Sequence, residues 1–166
     1  FPDIVIAISR GGLVPSRILV DLLEVHQCAS IQIQFYIGLG ETKGEPIIKQ
    51  ALSIPIKGNK ILLVDDIADT GKSLQYAISY LNQQGATEIK TAALYYKTQS
   101  IVKPDFYEKQ TCSWVVFPWE TKETLRKIIQ RFPSKHKQNQ EIAKLVRSGL
   151  PEHITQKLLM EMQEHP

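Results

Sequence analysis

Lys60-Ile61-Leu62-Leu63-Val64-Asp65-Asp66-Ile67-Ala68-Asp69-Thr70-Gly71-Lys72-Ser73-Leu74 is the stretch from which the architecture can be read. Ile61 to Val64 is an unbroken apolar run, the pattern of a strand buried on both faces of a parallel sheet. Asp65 to Gly71 reads as a loop. From Lys72 to Gln84 apolar residues return at helical spacing, with Leu74, Ala77, Ile78 and Leu81 on one face and Gly85 as the stop. A buried strand, a short polar turn and an amphipathic helix together make half of a βαβ unit.

The same alternation extends in both directions. Upstream, Ile4 to Ile8 is a second apolar run, broken by Ser9-Arg10-Gly11-Gly12 and followed by helical spacing of Leu13, Ile18, Leu19, Leu22 and Leu23 up to Val25. Ser30 to Ile37 alternates as a strand, Gly38 to Gln50 reads as a loop or weak hairpin, and Ser53 to Ile56 as a short edge strand before the turn Lys57-Gly58-Asn59. Downstream, strands are expected at Ile89–Tyr96 and Ser113–Phe117, then a helix from Glu120 to Phe132. Strands alternating with helices predict an α/β fold, an open parallel sheet flanked by helices. Beyond Pro133 the composition turns polar and basic. Two short helices are expected there, Gln140–Arg147 and Pro151–Met162, with Pro151 at a first helical position. The expected organisation is a core over residues 1–120 and a helical C-terminal extension over 121–166.

Composition narrows the class. The 166 residues are 43% hydrophobic and 22% charged, an ordinary globular balance that excludes a disordered chain or a coiled coil. No apolar run is long enough to span a membrane. Cys28 and Cys112 match no zinc or redox spacing, so a reducing cytoplasm is the expected setting. The chain opens on Phe1 almost directly into a strand, and further residues are expected upstream of it. The net charge of +3 is uneven: residues 1–120 hold 11 basic and 12 acidic residues, residues 121–166 hold 9 and 5. A solvated helical surface is the plainer reading of that excess, and an anionic partner the alternative.

The chemistry concentrates after the strand at Ile61–Val64. Ligands of open α/β sheets bind beyond the carboxyl ends of the strands, and a helix N-terminus presents free N–H groups to anions. Thr70 and Ser73 add hydroxyls, and Gly71 permits close backbone approach. Gly71-Lys72-Ser73 suggests a nucleoside-triphosphate loop, but that motif needs a glycine where this chain has Asp66. Asp65 and Asp66 suit sugar hydroxyls or Mg²⁺; they also suit simple helix capping. Asp69, beside the turn, is placed for general acid/base work. Ser9-Arg10-Gly11-Gly12 is a second turn between strand and helix, with a cation attached, suited to an anion.

Val64 to Ser73, with its Asp-Asp-x-x-Asp-Thr-Gly-Lys-Ser wording, resembles the phosphoribosyl-diphosphate-binding motif of type I phosphoribosyltransferases, in particular the 6-oxopurine branch acting on hypoxanthine, guanine and xanthine. The resemblance covers roughly residues 3–120. It implies that Asp65, Asp66, Ile67, Ala68, Asp69, Thr70, Gly71, Lys72 and Ser73 bind phosphoribosyl diphosphate and its 5′-phosphate, with Asp66 and Asp65 also toward Mg²⁺. It implies that Asp69 faces N7 of the purine as the catalytic residue. Ser9, Arg10, Gly11 and Gly12 match the pyrophosphate loop, often built with a cis peptide bond. Lys97, at the end of a strand, matches the donor to the purine O6, a filter against adenine. Trp114 and Val115 match the purine-stacking segment; Trp119 has no role beyond packing. Gly38–Gln50 corresponds to a flexible catalytic loop, with Lys43 and Lys49 as candidates to reach the diphosphate. An N-terminal helix common in these enzymes is missing from this sequence, and the basic tail is not part of the core pattern.

The resemblance implies a purine-salvage enzyme. It would transfer 5-phosphoribosyl from phosphoribosyl diphosphate to a 6-oxopurine and release pyrophosphate, as a homodimer or homotetramer with Mg²⁺ as cofactor. Nucleic acid is not an expected partner. The alternative is a non-catalytic regulator of the same fold that senses phosphoribosyl diphosphate and binds nucleic acid. Only the basic tail favours it, and a pure sensor would not need Asp69, Lys97 and Trp114 together.

Overall fold

The computed structural model describes residues 1–36 and 45–164. In chain order its elements are β1 (Ile4–Ser9), α1 (Leu13–Leu22), β2 (Gln27–Tyr36), β3 (Glu45–Gln50), β4 (Lys60–Ala68), α2 (Lys72–Gln83), β5 (Glu88–Tyr96), β6 (Phe106–Gln110), a 3₁₀ turn at Pro118–Glu120, α3 (Thr121–Arg131), α4 (Lys135–Arg147) and α5 (Glu152–Glu164). The chain divides into two units, Phe1–Cys112 and Ser113–Pro166.

In the first unit a six-stranded sheet runs in the order β3-β2-β1-β4-β5-β6. All neighbours are parallel except β3, which pairs antiparallel with β2. Alternation along β1 and β4 sorts the core onto two faces. Ile4, Ile6, Ile8, Ile61 and Leu63 join Leu74, Ala77 and Leu81 of α2 on one face. Val5, Leu62 and Val64 meet Leu19 and Val20 of α1 and Leu23 just after it on the other. Each fully buried Leu or Ile contributes about 1.5–3 kcal/mol, which is why the apolar runs become central strands. From β1 the chain moves outward to β2; from β4 it moves outward the other way, to β5. The gap between the carboxyl ends of β1 and β4 is therefore the switch point where open sheets bind ligands.

Several expectations change. β4 does not stop at Val64: it pairs with β5 through Ala68, so Asp65 to Ala68 are strand residues and not loop. Glu45–Gln50, expected within a loop, is β3. Residues 37–44, which take in the end of the strand expected at Ser30–Ile37 and the rest of that loop with Lys43, lie outside the described residues, and Lys49 sits exposed on β3. Ser53–Ile56 forms no strand, although Ile56 reaches the core. The strand expected at Ser113–Phe117 is also absent; that segment has no ladder partner and belongs to the second unit. The last strand of the sheet is instead β6. It is anchored by Asp105, whose carboxylate accepts from the backbone N–H and hydroxyl of buried Thr91, both at 2.8 Å, and from Lys90 Nζ at 3.0 Å. Partial burial pushes the Asp105 carboxyl up, but these hydrogen bonds outweigh it and hold it below its ordinary range.

The second unit is helical. Trp119 stacks on Phe117, with ring centroids 4.9 Å apart. Gln138 Nε2 donates to the carbonyls of Ile129 and Phe132 at 3.1 and 2.6 Å, satisfying the orphan end of α3. Lys122 and Glu161 pair at 2.9 Å between α3 and α5. α4 begins at Lys135, earlier than expected, and α5 at Glu152, so Pro151 stands just before the helix. Among the described residues no helix is long and apolar enough to cross a membrane.

Candidate active site

Two strand-to-helix turns meet at the switch point. The first follows β1. Its Ser9–Arg10 peptide bond is cis. Gly12 donates to the Ile8 carbonyl at 2.9 Å and begins α1 with no side-chain cap. Its neighbour Gly11 lies directly against the Asp66 carboxylate, so that a side chain added there would collide with it. Arg10 is exposed and Ser9 half-buried.

The second turn follows β4. Asp66, only 5% exposed, continues the face of Leu62 and Val64 and so lies under the first turn. Strand alternation sends Asp65 to the opposite face; its Oδ1 accepts from the Asp66 N–H at 3.0 Å. Ile67 is half-buried and Ala68 is core, so both bring backbone and not side chain to the turn. Gly71 adopts φ of 76°, the left-handed region, and α2 starts at Lys72 without a side-chain cap. Thr70 Oγ1 accepts weakly from the Lys72 N–H at 3.5 Å, and Ser73 sits half-buried in the first helical turn. Both helices thus open with backbone N–H groups free of capping side chains and with no acid in their first turns. That arrangement suits anions.

Pairing of β4 with β5 brings Asp69 and Lys97 together. Lys97 N–H donates to the Ala68 carbonyl at 3.0 Å, and Lys97 Nζ lies 3.2 Å from Asp69 Oδ2. Lys97 is only 6% exposed, so its ammonium sits in a low-dielectric wall while the Asp69 carboxylate faces open space. The segment after Lys97 supplies contacts that no sequence pattern announced. Gln99 Nε2 donates to Asp69 Oδ1 at 2.9 Å, and Ile101 N–H donates to the Thr70 carbonyl at 3.0 Å. The only sequence signal was adjacency: this segment follows directly on a strand-end lysine.

The structure therefore brings Ser9–Gly12, Asp65–Ser73 and Lys97 to one end of the sheet. Trp114 and Val115 belong to the second unit, where Trp114 is 72% exposed and Val115 half-buried. Among the described residues no group of three or more His, Cys, Asp or Glu could hold a metal unaided. Asp65 and Asp66 leave β4 on opposite faces, so a hard cation could meet at most one of these carboxylates directly, and the rest of its coordination would have to come from water or a bound ligand.

Residues 2–124 match the family described as the phosphoribosyl transferase domain. A xanthine-guanine phosphoribosyltransferase of Nitratidesulfovibrio vulgaris is 29% identical over 119 residues, covering 70% of this chain and 68% of that one. Among solved structures, a purine phosphoribosyltransferase from Pyrococcus horikoshii Ot3 superposes with a TM-score of 0.65 at 37% identity, covering 71% of this chain and 77% of the other. The Helicobacter pylori xanthine-guanine-hypoxanthine phosphoribosyltransferase gives a TM-score of 0.64 at 25% identity, over 76% and 81%.

Proposed function

Because the chain belongs to the phosphoribosyl transferase family, we propose that it is a purine-salvage enzyme transferring 5-phosphoribosyl from phosphoribosyl diphosphate to N9 of guanine, xanthine or hypoxanthine. The products are the nucleoside monophosphate and pyrophosphate. The observation that carries this reading is the 3.2 Å pair of Asp69 and buried Lys97 at neighbouring strand ends. N7 and O6 are adjacent acceptors on one edge of an oxopurine. A carboxyl that can exchange a proton at N7, beside an ammonium that donates to O6, matches that edge. Adenine would turn an amino group toward the ammonium, donor against donor.

The rest of the site divides the sugar diphosphate. The first turn, Ser9 to Gly12, takes the diphosphate, with Arg10 supplying charge and the Gly11 N–H a hydrogen bond. The second turn, Thr70 to Ser73, takes the 5′-phosphate on the N-terminus of α2. Asp65 and Asp66 are the candidates for the ribose hydroxyls and for Mg²⁺. Because they leave β4 on opposite faces, one ion would not meet both directly: Asp66 would be the principal ligand with Asp65 acting through water, and the ion, when bound, would neutralise charge building on the leaving diphosphate. Bond cleavage leaves positive charge on the ribose ring, so catalysis here is chiefly positioning and electrostatic stabilisation. On the family resemblance alone, Trp114 remains the purine-stacking candidate and the backbone around Val115 the contact to the purine edge.

We propose further that the enzyme self-associates and works in the cytoplasm. α1 carries apolar residues on its outer side as well: Leu13, Ile18 and Leu22 are 46%, 55% and 72% exposed. A helix apolar on both sides supports self-association, as a homodimer or homotetramer. Both cysteines, Cys28 and Cys112, are free and exposed.

The test is pyrophosphate release with Mg²⁺ and phosphoribosyl diphosphate, against guanine, xanthine, hypoxanthine, adenine and no base. Turnover with an oxopurine and not with adenine is expected. Silence with every base, together with measurable binding of phosphoribosyl diphosphate, would overturn the reading in favour of a sensor.

A further inference from the structure

We infer that Gln99 is a positioning residue for Asp69, an inference that rests on the phosphoribosyltransferase reading above. Asp69 is the group asked to manage a proton, and its carboxylate is 44% exposed at a turn. A carboxylate held at one oxygen only can still rotate. Here each oxygen has its own donor: Lys97 Nζ lies 3.2 Å from Oδ2 and Gln99 Nε2 lies 2.9 Å from Oδ1. The two donors come from one segment, so the carboxylate plane is defined by a single structural unit. Each oxygen keeps a second lone pair for a ligand.

A surface glutamine holds such a contact only if its backbone is fixed, because ordering its long side chain costs rotamer entropy. The backbone is fixed on both sides. Ser100 N–H donates to the Lys97 carbonyl at 2.9 Å, closing a turn with Thr98 and Gln99 at its centre. Ser100 Oγ donates to the Val102 carbonyl at 2.8 Å, and Ile101 N–H reaches across to the Thr70 carbonyl at 3.0 Å. This segment also packs on Gly71 so closely that an added Cβ would lie 2.7 Å from the Val102 nitrogen. The turn that presents Gln99 is thus bolted to the turn that carries Asp69. A reacting group displaced by about 1 Å can cost on the order of 10²-fold in rate, so the second donor has a catalytic consequence without touching substrate.

The experiment is steady-state pyrophosphate release by the full chain and by Gln99→Leu, Gln99→Glu and Gln99→Lys, varying phosphoribosyl diphosphate with the base the wild type uses. Gln99→Leu is expected to lower kcat about tenfold while KM for phosphoribosyl diphosphate stays within about twofold. Gln99→Glu keeps the shape but turns a like charge on Asp69, and is expected to lose more. Gln99→Lys restores a donor and is expected to recover most of the loss. A merely structural role would follow shape, sparing Glu and not rewarding Lys. Wild-type kcat in Gln99→Glu, equal losses in Leu and Lys, or a KM change as large as the kcat change would each overturn the inference. Those results come from an active wild type. Silence of the wild type with every base would instead overturn the underlying reading, and this inference with it.

Discussion

Between β1 and α1 the chain turns through Ser9-Arg10-Gly11-Gly12; between β4 and α2 it turns through Asp69-Thr70-Gly71. Both turns stand at the carboxyl ends of neighbouring strands, and both hand a helix N-terminus to the same space. They differ in what their glycines solve. Gly12 has φ of −67°, a conformation any residue adopts, but a Cβ there would run into the Val64 carbonyl and come within 2.9 Å of the Ile8 carbonyl. Gly71 has φ of 76°, which L side chains rarely adopt. The first turn needs glycine only because backbone presses on backbone; the second needs it for that reason, from the segment Ser100–Val102, and also because the chain must reverse its hand. They differ in charge as well: the first carries Arg10, proposed above to meet the diphosphate, and the second carries Asp69, proposed to move a proton beside the 5′-phosphate turn. On that proposal the proton chemistry belongs to one of two neighbouring turns, while both bind phosphate.

The sharpest way to break that division is Asp69→Asn. It keeps the shape but removes the acid/base group and turns an NH₂ donor toward either Lys97 or Gln99, so kcat should fall by about 10²–10⁴-fold. Affinity for phosphoribosyl diphosphate, measured by calorimetry, should stay within about threefold. Equal losses in both would place Asp69 with the phosphate groups and erase the contrast. The first turn should answer in the opposite currency. Gly12→Ala forces a Cβ against carbonyls of two central strands, which cannot move aside, at an expected cost of about 3 kcal/mol in urea unfolding. Gly11→Ala presses on the Asp66 carboxylate instead, and should weaken phosphoribosyl-diphosphate binding more than it weakens the fold.

How far these turns were legible follows from their residues. The turn Thr70–Ser73 opening α2 could be read because short-range chemistry fixes it, hydroxyls and a glycine before a helix; Asp65 to Ala68, expected as loop, instead continue β4, because pairing with β5 is a contact the local pattern does not announce. Ile4–Ile8 and Ile61–Val64 could be read because burial on two faces leaves continuous apolar runs. β6 could not, because Phe106-Tyr107-Glu108-Lys109-Gln110 lies at an edge with most of its residues exposed. Its place is fixed by Asp105 reaching back to Thr91, a contact between residues with no local pattern. Trp114-Val115-Val116-Phe117 erred the other way: it is apolar enough for a strand, yet no strand pairs with it. Gln99 was invisible for the same reason as Asp105, since its meaning lies in a contact 30 positions away.

Asp105 serves as the control from outside both turns. Asp105→Ala leaves the N–H of Thr91, a residue only 3% exposed, without its partner, and should cost about 1–2 kcal/mol of stability with kcat unchanged. The pH dependence has a definite sign. The folded-state carboxyl is held below its ordinary range, so this stabilisation is complete above the unfolded value, near pH 4, and is lost as pH falls through the folded one. Acid unfolding curves of wild type and variant should converge at low pH. A constant gap would mean that Asp105 acts through packing and not through charge.

The smallest effect tests the purine side of the second turn. Lys97 sits in a buried wall with its ammonium beside Asp69, and its proposed role is to favour an acceptor at position 6 of the base. Lys97→Ala removes that donor but also opens room for water, and water can donate to a keto oxygen or accept from an amino group. Discrimination against adenine should therefore fall only severalfold, as the ratio of kcat/KM between the oxopurine and adenine. Turnover itself should drop as well, because Asp69 loses the donor on Oδ2. A drop in turnover with selectivity unchanged would confine Lys97 to holding Asp69. The 6-position filter would then have to lie in groups other than this ammonium, and the second turn would keep its proton chemistry while losing its claim to choose the base.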